Sequence, residues 1–225
     1  MRDSRIKCWE WFGSNYKKMI SNFVGDEYNN SDDIDKTLWE VKYHEANRAV
    51  EKLQITQDDI VYDVGSGPGM ICNYVSQNCN KLYCVDISKS FLKYAMKNNE
   101  NNKNVGFFKI KHGVFNHVPK PNKIYCLATF IHFNLYDIHY YLKSFYDKID
   151  NGGMVFFDIL SDEYLNLESD EYKENFKKYQ KNPKRIYHDM KYHNPKIIEK
   201  VIHNTGFSVV ETFDDYNHKF WVLKK

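Results

Sequence analysis

The chain is poor in glycine and proline, with ten and five in 225 residues. That excludes a collagen-like or Pro/Gly-rich low-complexity organisation. It lacks any apolar run of about 18 residues, the length a membrane-spanning helix needs. Its first ten residues are polar and charged, unlike the apolar centre of a secretory leader. Its five cysteines (Cys8, Cys72, Cys79, Cys84 and Cys126) form no C-x-x-C pair and are odd in number. This spacing speaks against zinc or disulfide frameworks; it predicts buried, reduced thiols, no metal, and a cytoplasmic protein. A charge excess of one sign is also missing: 32 basic residues face 30 acidic ones, and they are interspersed. A nucleic-acid partner concentrates positive charge, so neither nucleic acid nor membrane is expected as a partner. A small-molecule substrate is, with the chain a monomer or homodimer.

What the chain does have is core material. It is 42% hydrophobic, with 15 Phe, 18 Tyr and 4 Trp, enough for one domain with a small cap. Cys8 to Val24 reads as a helix with Trp9, Phe12, Tyr16 and Phe23 on one side, ended by Gly25. Ser31 to Leu53 reads as a second, capped by Ser31, with Leu38, Val41, Glu45, Ala49 and Leu53 at helical spacing. These two form an N-terminal helical cap over residues 1–54. From residue 55 the pattern alternates. Strands are predicted at Ile60–Val64, Leu82–Asp86, Val105–Ile110, Ile124–Ala128 and Met154–Ile159. Helices are predicted at Met70–Cys79, from Ser88 to Lys97, at Tyr136–Ile149, and from Asn194-Pro195 to Gly206. Two closely linked strands, Phe207–Glu211 and Phe220–Leu223, end the chain and must be antiparallel. The fold class is therefore α/β, a mostly parallel sheet with helices on both faces. Ser161 to His193 interrupts the rhythm. It reads as an insertion over the carboxyl edge of the sheet, helical from Glu168 to Tyr179.

The richest stretch is Asp63-Val-Gly65-Ser66-Gly67-Pro-Gly69, between the first strand and its helix. Glycine stands where backbone must turn sharply or press against a ligand. In open α/β sheets ligands bind at the carboxyl ends of the strands. A dinucleotide fold wants G-x-G-x-x-G, yet position 70 is Met70, so a nicotinamide cofactor is disfavoured. The spacing is G-x-G-x-G with an acid two residues ahead. A cofactor carrying an ammonium and a sulfonium suits the Asp63 carboxylate. Asp86 ends the second strand, where a carboxylate can accept the two hydroxyls of a ribose. Ile87 beside it can pack on an adenine face.

Asp63 to Gly69, Asp86, and Asn151-Gly-Gly153 before a strand together resemble the class I (Rossmann-like) S-adenosylmethionine-dependent methyltransferases, from about Ile55 to the C-terminus. The resemblance implies seven strands in order 3-2-1-4-5-7-6, with strand 7 antiparallel. It implies S-adenosylmethionine as cofactor, S-adenosylhomocysteine as product, and a cofactor set of Asp63, Gly65, Ser66, Gly67, Gly69, Asp86, Ile87, His112, Gly113 and Ala128. One departure stands out: where the family often has Gly-Asp after the third strand, this chain has Lys111-His112-Gly113-Val114. Val114 replaces the acid, leaving adenine to backbone groups or His112.

Methyl transfer needs alignment and exclusion of water, and a base only where the acceptor must lose a proton. His132, in Ala128-Thr-Phe-Ile-His132, follows the fourth strand and is the expected base. Thr129 and Asn134 flank it. Tyr16, Tyr43, Thr129, Arg185 and Tyr187 are the expected acceptor contacts, with His188, Tyr192 and His193 nearby. Arg185, one of four arginines, suits a phosphate or carboxylate. The reading is methyl transfer to oxygen or nitrogen of a small molecule, a sugar, nucleotide-sugar or phosphorylated intermediate of surface-polysaccharide assembly. The alternatives are a protein or RNA methyltransferase and a non-catalytic binding protein of the same fold.

Overall fold

The computed structural model describes residues 2–18, 33–181 and 190–225. Helix α1 (Arg2–Asn15) runs into a 3-10 turn at Tyr16–Lys18, and helix α2 (Ile34–Leu53) follows. Asp33, rather than Ser31, caps α2: its carboxylate accepts the Lys36 amide at 3.1 Å, a strong acceptor for an orphan N-terminal donor. Phe23, Gly25 and Ser31 lie outside the described residues. Beyond α2 come β1 (Ile60–Val64), α3 (Met70–Val75), β2 (Lys81–Asp86), α4 (Lys89–Asn98), β3 (Val105–Lys109), β4 (Lys123–Cys126), α5 (Leu135–Lys148) and β5 (Met154–Ser161). Then follow α6 (Asp170–Lys181), β6 (Tyr192–His193), α7 (Pro195–Thr205), β7 (Ser208–Asp215) and β8 (His218–Lys224).

The strands form one sheet in the order β3-β2-β1-β4-β5-β8-β7, with β6 paired beside β5 off this path. Leaving β6 aside, this is the predicted order. β8 runs antiparallel to both β5 and β7. Only Tyr216 and Asn217 separate β7 from β8, too short a link for a crossover. β6 is an addition to the prediction, since two residues are too few to carry a strand period.

Side chains alternate through the sheet. Tyr62, Val64, Ile124, Cys126, Val155, Phe157, Trp221 and Leu223 face one core, closed by Ile138, Leu142 and Phe145 of α5 and Ile198 and Ile202 of α7. Val61, Tyr125, Phe156, Phe220 and Val222 face the other, closed by Ala46, Ala49 and Leu53 of α2 with Cys72 and Val75 of α3. Burial on both faces explains why the central strands read as continuous apolar runs. Each large side chain sealed this way contributes roughly 1.5–3 kcal/mol.

The polar caps also hold. Ser88, Asn134 and Asn194 accept amides at the starts of α4, α5 and α7. The Asn134 side-chain oxygen is thereby engaged in capping α5, accepting the Asp137 amide at 3.0 Å. Cys72, Cys79, Cys84 and Cys126 are buried and all five thiols are free. No described helix is long and apolar enough to cross a membrane.

Helix α1 lies against the start of α4. Glu10 accepts hydrogen bonds from the Lys89 amide (2.7 Å) and the Ser90 hydroxyl (2.6 Å). A Cβ on Gly13 would meet Ser88 Oγ at 2.8 Å, so only glycine permits this approach. Burial raises the Glu10 carboxyl, but hydrogen bonds from Ser90, Ser88 and Lys89 outweigh it and leave the group below its ordinary 4.5. A depressed acid stabilises the fold above its unfolded value and ceases to as pH falls through the folded one. Hydrogen exchange at the first amides of α4, taken relative to its intrinsic rate at each pH, should therefore quicken on going from pH 7 to below 4. Glu10→Gln should quicken it at pH 7 already; equal protection in the two proteins at pH 7 would show that this contact holds nothing.

Candidate active site

The bend after β1 is fastened to the end of β2. The Gly65 amide donates to Val85 O (2.8 Å) and the Gly67 amide to Asp86 Oδ2 (2.9 Å). Gly65 and Gly67 have φ of +77° and +52°, a region where side chains are strained. Their roles differ. A Cβ on Gly65 would strike Thr129 Oγ1 at 2.2 Å, whereas one on Gly67 would have nothing within 4 Å. Gly65 thus lets the bend close on the segment after β4, and Gly67 keeps open the space in front of it. Gly69 serves packing, since a Cβ there would press on Ala95 of α4 at 2.8 Å.

Asp86 is buried, with Oδ1 accepting the Ser88 amide (2.7 Å) and Oδ2 the Gly67 amide. Each carboxylate oxygen has a second lone pair to offer. Burial pushes Asp86 up to about 6, opposed by the amides of Ser88, Gly67 and Ile87. Asp63 lies just behind the bend rather than on the cavity wall. Burial pushes it to about 8. The Tyr125 hydroxyl, which favours the charged form, is near but makes no properly aligned hydrogen bond with it. Asp63 Oδ2 and Ser66 Oγ are buried with no hydrogen-bond partner among the described residues, an arrangement that calls for a ligand or water to complete it. Asp63, Cys72 and Cys84 have potential ligand atoms within 4.8 Å of one another. Burial, however, raises both thiols, which favours protonated side chains in a hydrogen-bonded cluster.

One cavity of about 1170 Å³ runs along the carboxyl edge of the sheet. Its wall includes Gly65, Ser66, Gly67, Asp86 and Ile87, together with Ala128, Thr129, His132, Asp158, Tyr192 and His218. Ala128 has φ +49°, a strained value for a residue with a Cβ and a common mark of functional sites. Tyr16 lines the cavity from the cap, its hydroxyl 3.4 Å from Met70 Sδ. His132 lines it too, its ring edge-on to Trp9 with centroids 4.8 Å apart.

Other expected contacts are placed elsewhere. His112 does not reach the cavity; its Nε2 pairs with Asp137 Oδ1 at 3.0 Å and its ring stacks on Tyr140. Gly113 packs under Tyr140, and Ile110 and Tyr141 occupy the cavity wall there instead. Tyr43 is exposed and packs on Tyr74; the cavity-facing residues of α2 are Leu38, Val41, Lys42, His44, Glu45 and Arg48. His193 is also off the wall, donating from Nε2 to Phe133 O at 2.8 Å. Arg185, Tyr187 and His188 lie outside the described residues.

A family model described as mycolic acid cyclopropane synthetase matches residues 27–224. The chain belongs to that family of S-adenosylmethionine-dependent methyltransferases. Among solved structures, this methyltransferase is similar to magnesium protoporphyrin IX methyltransferase from Synechocystis PCC 6803 with bound SAH (16% identity, 98% of this chain and 99% of that one, TM-score 0.71). It is also similar to the DhpI–SAH complex (12%, 100% and 96%, TM-score 0.67). At these identities the likeness is one of fold. Among curated proteins, the "Probable cobalt-precorrin-6B C(15)-methyltransferase (decarboxylating)" of Methanococcus vannielii is 40% identical over 50 residues, 22% of this chain and 28% of that protein.

Within the methyltransferase, the cavity-lining residues that sequence reasoning overlooked include Asp158, Arg48 and His218. Asp158 carried a signal, as an acid near the carboxyl end of an apolar strand, like Asp63 and Asp86. His218 and Arg48 carried none. The bend itself is open to a paired test. Gly67 and Gly152 both have positive φ and free space around an added Cβ, so alanine costs each about 1–2 kcal/mol of strain. Gly67→Ala and Gly152→Ala should lower Tm alike, while only Gly67→Ala weakens S-adenosylmethionine binding, tenfold or more. Equal affinities in calorimetry would remove Gly67 from the cofactor site.

Proposed function

We propose that this chain transfers a methyl group from S-adenosylmethionine to oxygen or nitrogen of a small, largely apolar acceptor. The observation that carries this is the single cavity that joins the Gly65–Gly67 bend and Asp86 to His132, Tyr192 and His218. At about 1170 Å³ it exceeds the usual ligand pocket of roughly 300–1,000 Å³, so cofactor and acceptor fit side by side. The unpartnered oxygens of Asp63 and Ser66 and the free space at Gly67 suit the donor. When bound, it supplies a methyl carbon activated by a positive sulfur. Asp86 would hold the ribose, Gly67 admit the backbone-close part of the ligand, and Ile87 cover the adenine. Asp63 would balance the ammonium from behind the bend.

The apolar part of the cavity wall includes Trp9, Phe12, Ile131, Phe133, Leu160 and Tyr192. Such a wall favours an aromatic or alicyclic acceptor over the phosphorylated sugar of surface-polysaccharide assembly, a reading that rests on domain size, the insertion and Arg185. Helix α1, clipped to α4 through Glu10, would serve as the lid that excludes water during transfer. His132 and Thr129 face the acceptor from the segment after β4.

Calorimetry should give one S-adenosylmethionine and one S-adenosylhomocysteine site per chain, with no heat from NADH. Incubating the protein with methyl-labelled donor and a cell extract should place label in the organic-extractable small-molecule fraction. Label confined to protein or RNA would favour the macromolecular reading; no heat with either adenosyl ligand would overturn the enzyme reading altogether.

A further inference from the structure

At the acceptor end of the cavity, two groups from different strands are joined in a way that the cofactor site does not require. Asp158, in β5, is 2% exposed and has both oxygens engaged. Oδ1 accepts the Ala128 amide at 2.7 Å, and Oδ2 lies 2.6 Å from Nδ1 of His218, the first residue of β8. A carboxylate only accepts, so Nδ1 carries the hydrogen and the lone pair of the neutral ring sits on Nε2. Nε2 makes no hydrogen bond among the described residues, and it is not among their sealed polar atoms. His218 lines the cavity with its side chain 29% exposed.

The sheet register places this pair relative to the cofactor bend. Asp63 pairs with Tyr125, and Tyr125 with Phe156. Gly65 and Asp158 each stand two residues further on, so they share a level two strands apart. At about 4.8 Å per strand that is roughly 10 Å, a span suited to donor and acceptor lying between them. Ala128, which ties Asp158 to the segment after β4, holds the strained φ noted above.

We infer that His218, oriented by Asp158, is the general base that removes the proton from the acceptor's nucleophilic atom, and hence that the acceptor is a protic group such as a hydroxyl. This rests on the methyltransferase reading. As the acceptor oxygen forms its bond to the methyl carbon, the O–H pair stays on oxygen and the proton passes to His218 Nε2. The carbon–sulfur pair returns to sulfur, and the imidazolium later yields its proton to water. A carboxylate on Nδ1 fixes the tautomer and stabilises the imidazolium that forms. Asp158 is a positioning residue; only His218 touches the acceptor.

The charged groups facing His218 are Asp158 from β5, Glu45 and Arg48 from α2, and Asp215 from β7. Glu45 is engaged by Lys42 (2.8 Å) and Arg48 by Asp215 (2.5 Å). Burial lowers the imidazole, but Asp158 first, then Glu45 and Asp215, more than offset it and leave the ring above its ordinary 6.5. A base titrating there suits proton transfer near neutrality.

Two measurements on the full chain test this. In nitrogen-labelled histidine spectra, His218 should appear as the Nδ1–H tautomer with a midpoint above 6.5 that falls in Asp158→Asn. In turnover, two probe nucleophiles are compared with S-adenosylmethionine: 2-naphthol, which must lose a proton, and iodide, which has none. His218→Asn and His218→Gln should lower the ratio of naphthol to iodide rates about a hundredfold, and Asp158→Asn should move the pH limb of the naphthol rate. An unchanged ratio means that His218 only supports structure, and it overturns the inference. So does a His218 midpoint indifferent to Asp158→Asn, or a wild-type protein that consumes the donor with iodide but not with naphthol. Loss of donor binding in wild-type calorimetry, with the histidine titration intact, instead sinks the methyltransferase reading and the base role with it.

Discussion

Asp63→Asn should make the free protein more heat-stable at pH 8 and cripple its hold on S-adenosylmethionine. Burial places the Asp63 carboxyl near 8 in the folded chain, against 3.8 unfolded. Between those values the folded state binds more protons than the unfolded one, so stability falls as pH rises through that window. Each unit of such a shift corresponds to about 1.4 kcal/mol, so the whole cost amounts to several kcal/mol at the alkaline end. The amide cannot ionise and escapes it. The Tm of Asp63→Asn should therefore exceed that of wild type at pH 8, and the gap should close toward pH 4. The same carboxyl, neutral in most free molecules at pH 7, becomes ionised once a cation sits before the bend. Donor binding should then release close to one proton, measurable as a dependence of calorimetric heat on buffer ionisation, and Asp63→Asn should lose both the proton and most of the affinity. Parallel Tm curves for the two proteins from pH 4 to 8 would show that Asp63 is already charged in the free fold.

The second large effect is at Asp86. Asp86→Ala removes the acceptor for the Gly67 and Ser88 amides at once. Hydrogen bonds to a charged group are worth about 1.5–3 kcal/mol each, and the ribose contact goes with them. A loss of donor affinity of at least a hundredfold is expected, since each 1.4 kcal/mol is a factor of ten. Wild-type affinity should also fall as pH drops through about 6, where Asp86 takes up a proton. A variant that binds within threefold of wild type would move the ribose to another residue.

Both carboxylates were legible because they are local. An acid, three alternate glycines and a strand-ending acid lie within 24 residues, and each acid stands at or next to the end of its own strand. The antiparallel β8 was legible for the same reason, since two linking residues leave no other path. The errors come from contacts that a linear reading cannot see. His112 was free to turn toward Asp137, 25 residues away. Tyr43 lies between Lys42 and His44 of α2, which line the cavity, yet its ring packs on Tyr74. Asp158 and His218 meet only because β8 slots in beside β5, a pairing across 60 residues.

The insertion between β5 and α7 is sewn to the domain at both margins. The Ser161 amide donates to Asn217 O at its entry, and the Lys191 amide to Ile131 O near its exit. Neither stitch involves the bend or Asp86. Between those anchor points Tyr164 and Met190 line the cavity, so under the proposed function replacing them should alter acceptor choice and leave S-adenosylmethionine affinity as it is.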